Sequence, residues 1–243
     1  MWGSIGAMVA LAWAYLFYTA RPMPGMDMSA MQMPGFYGWG FSTVLLLFLM
    51  WAVMMIAMMV PSAVPMVQAF FAVKERRKNS SRQFVPAGVF LLGYIVVWTA
   101  FSAAATLAQW GLHKAALLSP MMVATSPLVS GGLLLAAGVF QWTPLKHACL
   151  RGCRSPLSFL MGEWREGTAG AFRMGLRHGA YCVGCCWALM ALLFVVGVMN
   201  LVWIAVIAVF VMAEKVLPRG ELLGHIGGVA LVGAGIAVIA KIW

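Results

Sequence analysis

Residues 39–60 read WGFSTVLLLFLMWAVMMIAMMV, twenty-two positions without a single charge. A helix needs roughly 20 apolar residues to cross a bilayer, and this run supplies them. Similar runs lie on both sides of it, at about 3–20, 86–111, 128–144, 180–198, 201–217 and 222–242. The predicted fold is therefore all-α, a polytopic transmembrane bundle of about seven helices forming a single membrane domain over 1–243. Pro61 and Pro65 follow the quoted run, so its helix is expected to kink and continue toward Val73. The runs at 180–198 and 201–217 meet at a tight turn near Asn200 and form an antiparallel hairpin. The first run lacks a basic segment before it and is expected to stay as an uncleaved helix.

Composition agrees. Hydrophobic residues make up 63% and charged residues 9% of the 243-residue chain, and mean hydropathy is +0.93. Soluble domains carry about 25% charged residues, and so few charges cannot cover a water-facing globule. The net charge of +10 does not point to nucleic acid, because the basic residues lie in short segments between apolar runs and build no basic patch.

Those basic segments set an orientation. Lys74, Arg76, Arg77, Lys78 and Arg82 cluster after the second run. Lys146, Arg151, Arg154, Arg165, Arg173 and Arg177 lie in the long segment 143–179. Both are expected on the cytoplasmic side. The segments 21–38 and 112–127 are poor in basic residues and are expected outside. Seven helices then give a cytoplasmic N-terminus and an outer C-terminus, in a bacterial inner membrane. Gly224 and Gly228 form a G-x-x-x-G pair that reads as helix packing.

Soft metal ligands are unevenly placed. Cys149, Cys153, Cys182, Cys185 and Cys186, with His147 and His178, all fall at the expected inner ends of the fourth and fifth runs or between them. His178, Cys182 and Cys185 are spaced i, i+4, i+7, one helix face; Cys186 stacks on Cys182, and Cys149 on Cys153, at i+4. Thiolates and imidazoles together suit Cu(I), zinc or an iron–sulfur cluster. Glu214 stands at the inner end of the sixth run and is a candidate ligand or supporting partner, or else simply an interfacial pair with Lys215. Ordinary burial of small apolar cysteines is the competing reading. So is thiol redox cycling at Cys182–Cys185. His113 and His225 are isolated and read as packing or interfacial residues.

Methionine is the second soft set, with 20 in the chain. The outer segment 21–38 carries Met23, Met26, Met28, Met31 and Met33 between Pro-Gly pairs. Thioethers bind Cu(I) without losing a proton, so this segment reads as a capture loop on the outer side. Met50, Met54 and Met58 form a stripe on one helix face with Met55 and Met59 beside it. Such a stripe is commonly adaptable packing and is also a candidate path for a soft ion.

Trp51–Pro61 (WAVMMIAMMVP), Gln141–Pro156 (QWTPLKHACLRGCRSP), Gly179–Met190 (GAYCVGCCWALM) and Glu214, Lys215, Pro218 and Gly220 together resemble an uncharacterised bacterial family, a domain of unknown function described as predicted metal-binding integral membrane proteins. The resemblance covers most of the chain after the first helix. It implies a polytopic membrane fold and a metal site, without a defined reaction. The Met-rich outer segment is not part of that pattern and rests on its own chemistry.

No P-loop, G-x-S-x-G or H-E-x-x-H is present, so the chain reads as a metal handler rather than an enzyme. The leading expectation is copper uptake, transfer or delivery to a membrane partner, with the lipid bilayer and a membrane protein or a second copy as partners and no nucleic acid. An accessory subunit of a larger membrane complex and a transmembrane thiol–disulfide oxidoreductase remain open.

Overall fold

The computed structural model describes residues 2–19, 40–77, 87–118, 124–198 and 200–240. The described elements, in chain order, are α1 (Trp2–Thr19), α2 (Phe41–Arg77), α3 (Ala87–Lys114), α4 (Pro127–Phe140) and α5 (Pro144–Arg154). There follow α6 (Pro156–Glu163), α7 (Gly167–Ala191), α8 (Leu193–Val196), α9 (Leu201–Val216) and α10 (Gly220–Ala240). Among the described residues four stretches are long and apolar enough to cross a membrane: Phe41–Glu75, Ala87–Lys114, Gly167–Val196 and Gly220–Ala240. The pair α4 and α5, bent by 64°, makes a fifth if it is one broken span. The expected count of about seven is not reached on length and composition. The apolar part of α1 is Gly6–Tyr18, and α9 has 16 residues.

Helix α2 does not stop at Pro61. It runs 37 residues through both prolines. Pro61 has no N–H for the carbonyl of Ala57 four residues back. Trp13 of α1 donates its indole Nε1 to that oxygen at 3.1 Å, so the lost bond is replaced from a neighbouring helix, as apolar surroundings require.

The segment 143–179, expected as a loop, is mostly helical. Thr143 caps α5 by accepting from the backbone N–H of Lys146, and Pro144 takes the first helical position, where its missing N–H costs nothing. Ser155 and Pro156 start α6 in the same order. The first half of α7, Gly167–Gly179, completes the segment.

Backbone contact at glycines fixes the two tightest pairings. Gly93 of α3 lies against the carbonyl of Phe172, and Gly175 of α7 against that of Phe90, so no side chain fits between these helices. On the other side α4 meets α10: a Cβ on Gly138 would stand 2.9 Å from the carbonyl of Gly228, and one on Gly235 3.0 Å from that of Gly131. Gly228 of the G-x-x-x-G pair thus packs α10 against α4. Close approach through small residues gains dispersion contact that lipid cannot offer. Many large apolar side chains point outward instead, among them Phe41, Leu46, Val202 and Val229. An exposed apolar surface of that extent is a lipid-facing or protein-facing surface.

Candidate metal centre

The cysteines of α7 occupy the face that the sequence spacing predicts, and Cys182, Cys185 and Cys186 are all buried. Cys182 is the hub. The thiols of Cys185 and Cys186 both donate to its backbone carbonyl, at 3.1 and 2.9 Å. Cys153, from α5, is close enough to Cys182 and Cys185 to interact with them electrostatically. Helix α5 comes this close because each helix offers a glycine to the other: Gly152 lies against the Tyr181 ring, and a Cβ on Gly184 would stand 2.7 Å from the Cys149 sulfur. All five cysteines are reduced.

Three further elements converge on Cys182. From α3, Tyr94 places its hydroxyl 3.1 Å from the sulfur and donates to the Met59 carbonyl at 3.0 Å. From α9, Lys215 donates its ammonium to the sulfur at 2.8 Å and to the Ser62 hydroxyl at 3.0 Å. From α2, the Met59 thioether lies 4.0 Å from the Cys186 thiol. An ammonium against a sulfur in a buried site pairs a thiolate with its counter-charge, the environment that makes a cysteine reactive and a good ligand.

Met54, Met55, Met58 and Met59 are buried within the bundle, and Met50 is half-buried at its edge. The methionine stripe therefore ends at the thiols. The residues Met23, Met26, Met28, Met31 and Met33 lie outside the described residues.

The predicted histidines and Glu214 take separate positions. His178 is buried one turn before Cys182, its ring stacked on Tyr94 with centroids 5.5 Å apart and on Phe90 at 5.9 Å. Its Nδ1 has no hydrogen-bond partner. His147 faces α10, its ring 5.2 Å from that of His225. Glu214 does not pair with its neighbour Lys215. It accepts from Lys146 of α5 at 2.5 Å, and both side chains are 1% exposed. Lys146 also donates to Gln141. Two successive residues of α9 thus serve two buried charge pairs, Glu214 with Lys146 and Lys215 with Cys182.

Sequence reasoning missed Tyr94, Ser62 and the role of Lys215. A lone tyrosine inside an apolar run is a usable signal, since a buried hydroxyl must find a partner. Lys215 gave none, because its partner comes from another helix.

Among the described residues no three His, Cys, Asp or Glu side chains are arranged to hold a metal ion as they stand. The donors nevertheless fit a soft ion. They are thiols, a thioether and an imidazole, donor types that suit Cu(I) and Zn(II) alike.

No curated protein and no solved structure matches the chain. A family model described as the copper chaperone PpoB2 matches residues 48–238, a span that holds every cysteine and the α2 methionines, so the chain belongs to this copper chaperone family and its role is copper-related.

Proposed function

We propose that the protein is a membrane-embedded chaperone that receives Cu(I) at the outer side and carries it to the α7 thiols for delivery to a membrane partner. The observation that carries this reading is the 4.0 Å approach of Met59 to Cys186. It joins a thioether stripe to a thiol cluster, and Cu(I) exchanges readily between such donors. The four long apolar helices support a bilayer setting, and the basic segments support a bacterial inner membrane with a cytoplasmic N-terminus. The methionines of 21–38 are the capture ligands. Cys182, Cys185, Cys186 and Cys153 are the holding ligands, with His178 Nδ1 as a further donor. Cys149, His147 and Glu214 stand behind them.

The test is elemental analysis of protein purified without oxygen, before and after Cu(I) loading. Stoichiometric copper is expected, and its loss in Cys182→Ser/Cys185→Ser. Protein that holds neither copper nor zinc, or a double variant with unaltered content, sinks the proposal.

The Cys182–Cys185 spacing on one turn of α7, with the Cys185 thiol 3.1 Å from the Cys182 carbonyl, favours one rival, a reversible disulfide that cycles electrons across the membrane. Intact mass after mild oxidation separates the two. A two-hydrogen loss at these cysteines in protein that binds no metal selects the redox reading.

A further inference from the structure

At the start of α7 the chain builds a second recess, lined by Glu163, Arg165, Arg173, Met174 and Arg177, with a volume of about 240 Å³. Three guanidinium groups and one carboxylate face it. Glu163 is taken by Arg177, Nη1 to Oε2 at 2.9 Å. The nearby Glu166 accepts from the Trp164 indole at 2.7 Å and is not part of the lining. The lining carries a net charge of two positive. Arg173 and Arg177 are four residues apart on one helix face, where like charges repel unless an anion sits between them.

The recess is rigid. Trp164 stacks on Phe70 of α2 with centroids 5.6 Å apart, which ties the α6–α7 turn to the core. Gly167 turns the chain at φ 77°, where a side chain would be strained. The Arg165 carbonyl packs on α7 so closely that a Cβ on Gly170 would stand 2.6 Å away. Met174 is buried and gives an apolar floor. Arginines on a fixed backbone hold phosphate oxygens with paired N–H donors at little ordering cost.

We infer that the Arg165–Arg173–Arg177 recess binds a phosphate group, from either the headgroup of an anionic phospholipid or a free phosphate. The chemistry is the same in both cases: a tetrahedral anion between guanidinium forks, with Met174 under the ester carbon when there is one. The site is separate from the thiols and does not rest on copper binding. Its lipid form rests on the bilayer reading; its free-phosphate form does not.

Native mass spectrometry of the full chain in neutral detergent tests this with short-chain phosphatidylglycerol, short-chain phosphatidylcholine, inorganic phosphate and a glutamate-rich peptide. Phosphatidylglycerol is expected to bind one per protein and phosphatidylcholine not at all. Arg165→Gln/Arg173→Gln is expected to weaken binding by about tenfold or more, the effect of losing charge-assisted contacts. Arg151→Gln, at an exposed position of α5, should leave it unchanged. Thermal melting of each variant confirms folding. Retention of inorganic phosphate but not the lipid identifies a soluble ligand. The inference is overturned if neither phosphate compound binds at millimolar concentration. It is equally overturned if the double variant binds like the parent, or if the acidic peptide binds as tightly as either phosphate.

Discussion

The Lys215 ammonium donates to the Cys182 sulfur at 2.8 Å in a buried site, with the Ser62 hydroxyl as a second acceptor at 3.0 Å. Under the proposed function, this contact bears on which ion the thiols would hold. Two thiolates, one ammonium and a monovalent ion sum to zero charge. A divalent ion at the same place leaves one positive charge uncompensated in a buried site, where charge is costly. Lys215→Met should therefore shift the preference between Cu(I) and Zn(II) toward zinc by about tenfold, equivalent to ~1.4 kcal/mol. Competition against chelators of known affinity reads this directly. An unchanged ratio would mean that the ammonium does not set selectivity.

The Lys146–Glu214 pair should behave as a unit. Glu214→Leu leaves Lys146 buried without its carboxylate, and removing one partner of such a pair costs roughly 3–5 kcal/mol. Lys146→Met/Glu214→Leu removes both charges and should be more stable than the single Glu214 variant. Thermal unfolding in detergent for the four members of this cycle gives the coupling. Additive losses would show that the two side chains do not depend on each other.

Gly175 should tolerate no side chain. A Cβ there meets the Phe90 carbonyl, and backbone cannot yield as a flexible side chain can. Gly175→Ala is expected to destabilise by about 1–3 kcal/mol, the range for overpacking. Gly233→Ala, which meets nothing within 4 Å, should melt like the parent or slightly higher. Equal melting of the two variants would contradict the α3–α7 contact.

Met59→Leu separates packing from ligation. The side chains have similar volume, so stability should change by less than about 1.5 kcal/mol. The thioether beside Cys186 is lost, and Cu(I) should reach the thiols more slowly in stopped-flow loading. Loading at the parent rate would remove the stripe from the copper path.

The long apolar helices were legible because burial in an apolar setting leaves no polar face to dilute the signal. The shared face of His178, Cys182 and Cys186 was legible for a different reason: spacing of four residues puts side chains on one face wherever the helix packs. The segment 143–179 was harder. Its charges lower hydropathy and suggest a loop, yet Thr143-Pro144 and Ser155-Pro156 are helix starts written in the sequence. The continuation of α2 past Pro61 was expected from the sequence; what it could not show is the approach of Trp13 to the Ala57 carbonyl, which replaces the bond that Pro61 cannot make. Glu214 and Lys215 look like partners because they are adjacent. Side chains on successive helical residues point about 100° apart, and each found its partner on another element.

That divergence has a consequence for how α9 can move. One of its residues is keyed to α5 through Lys146 and the next to α7 through Cys182. Rotating α9 about its axis, or sliding it by a turn, would uncouple both buried pairs at once, at several kcal/mol each. The helix is therefore indexed in one angular setting and one axial setting. In the proposed copper cycle, α9 is then the fixed shaft and the other helices are the parts free to shift.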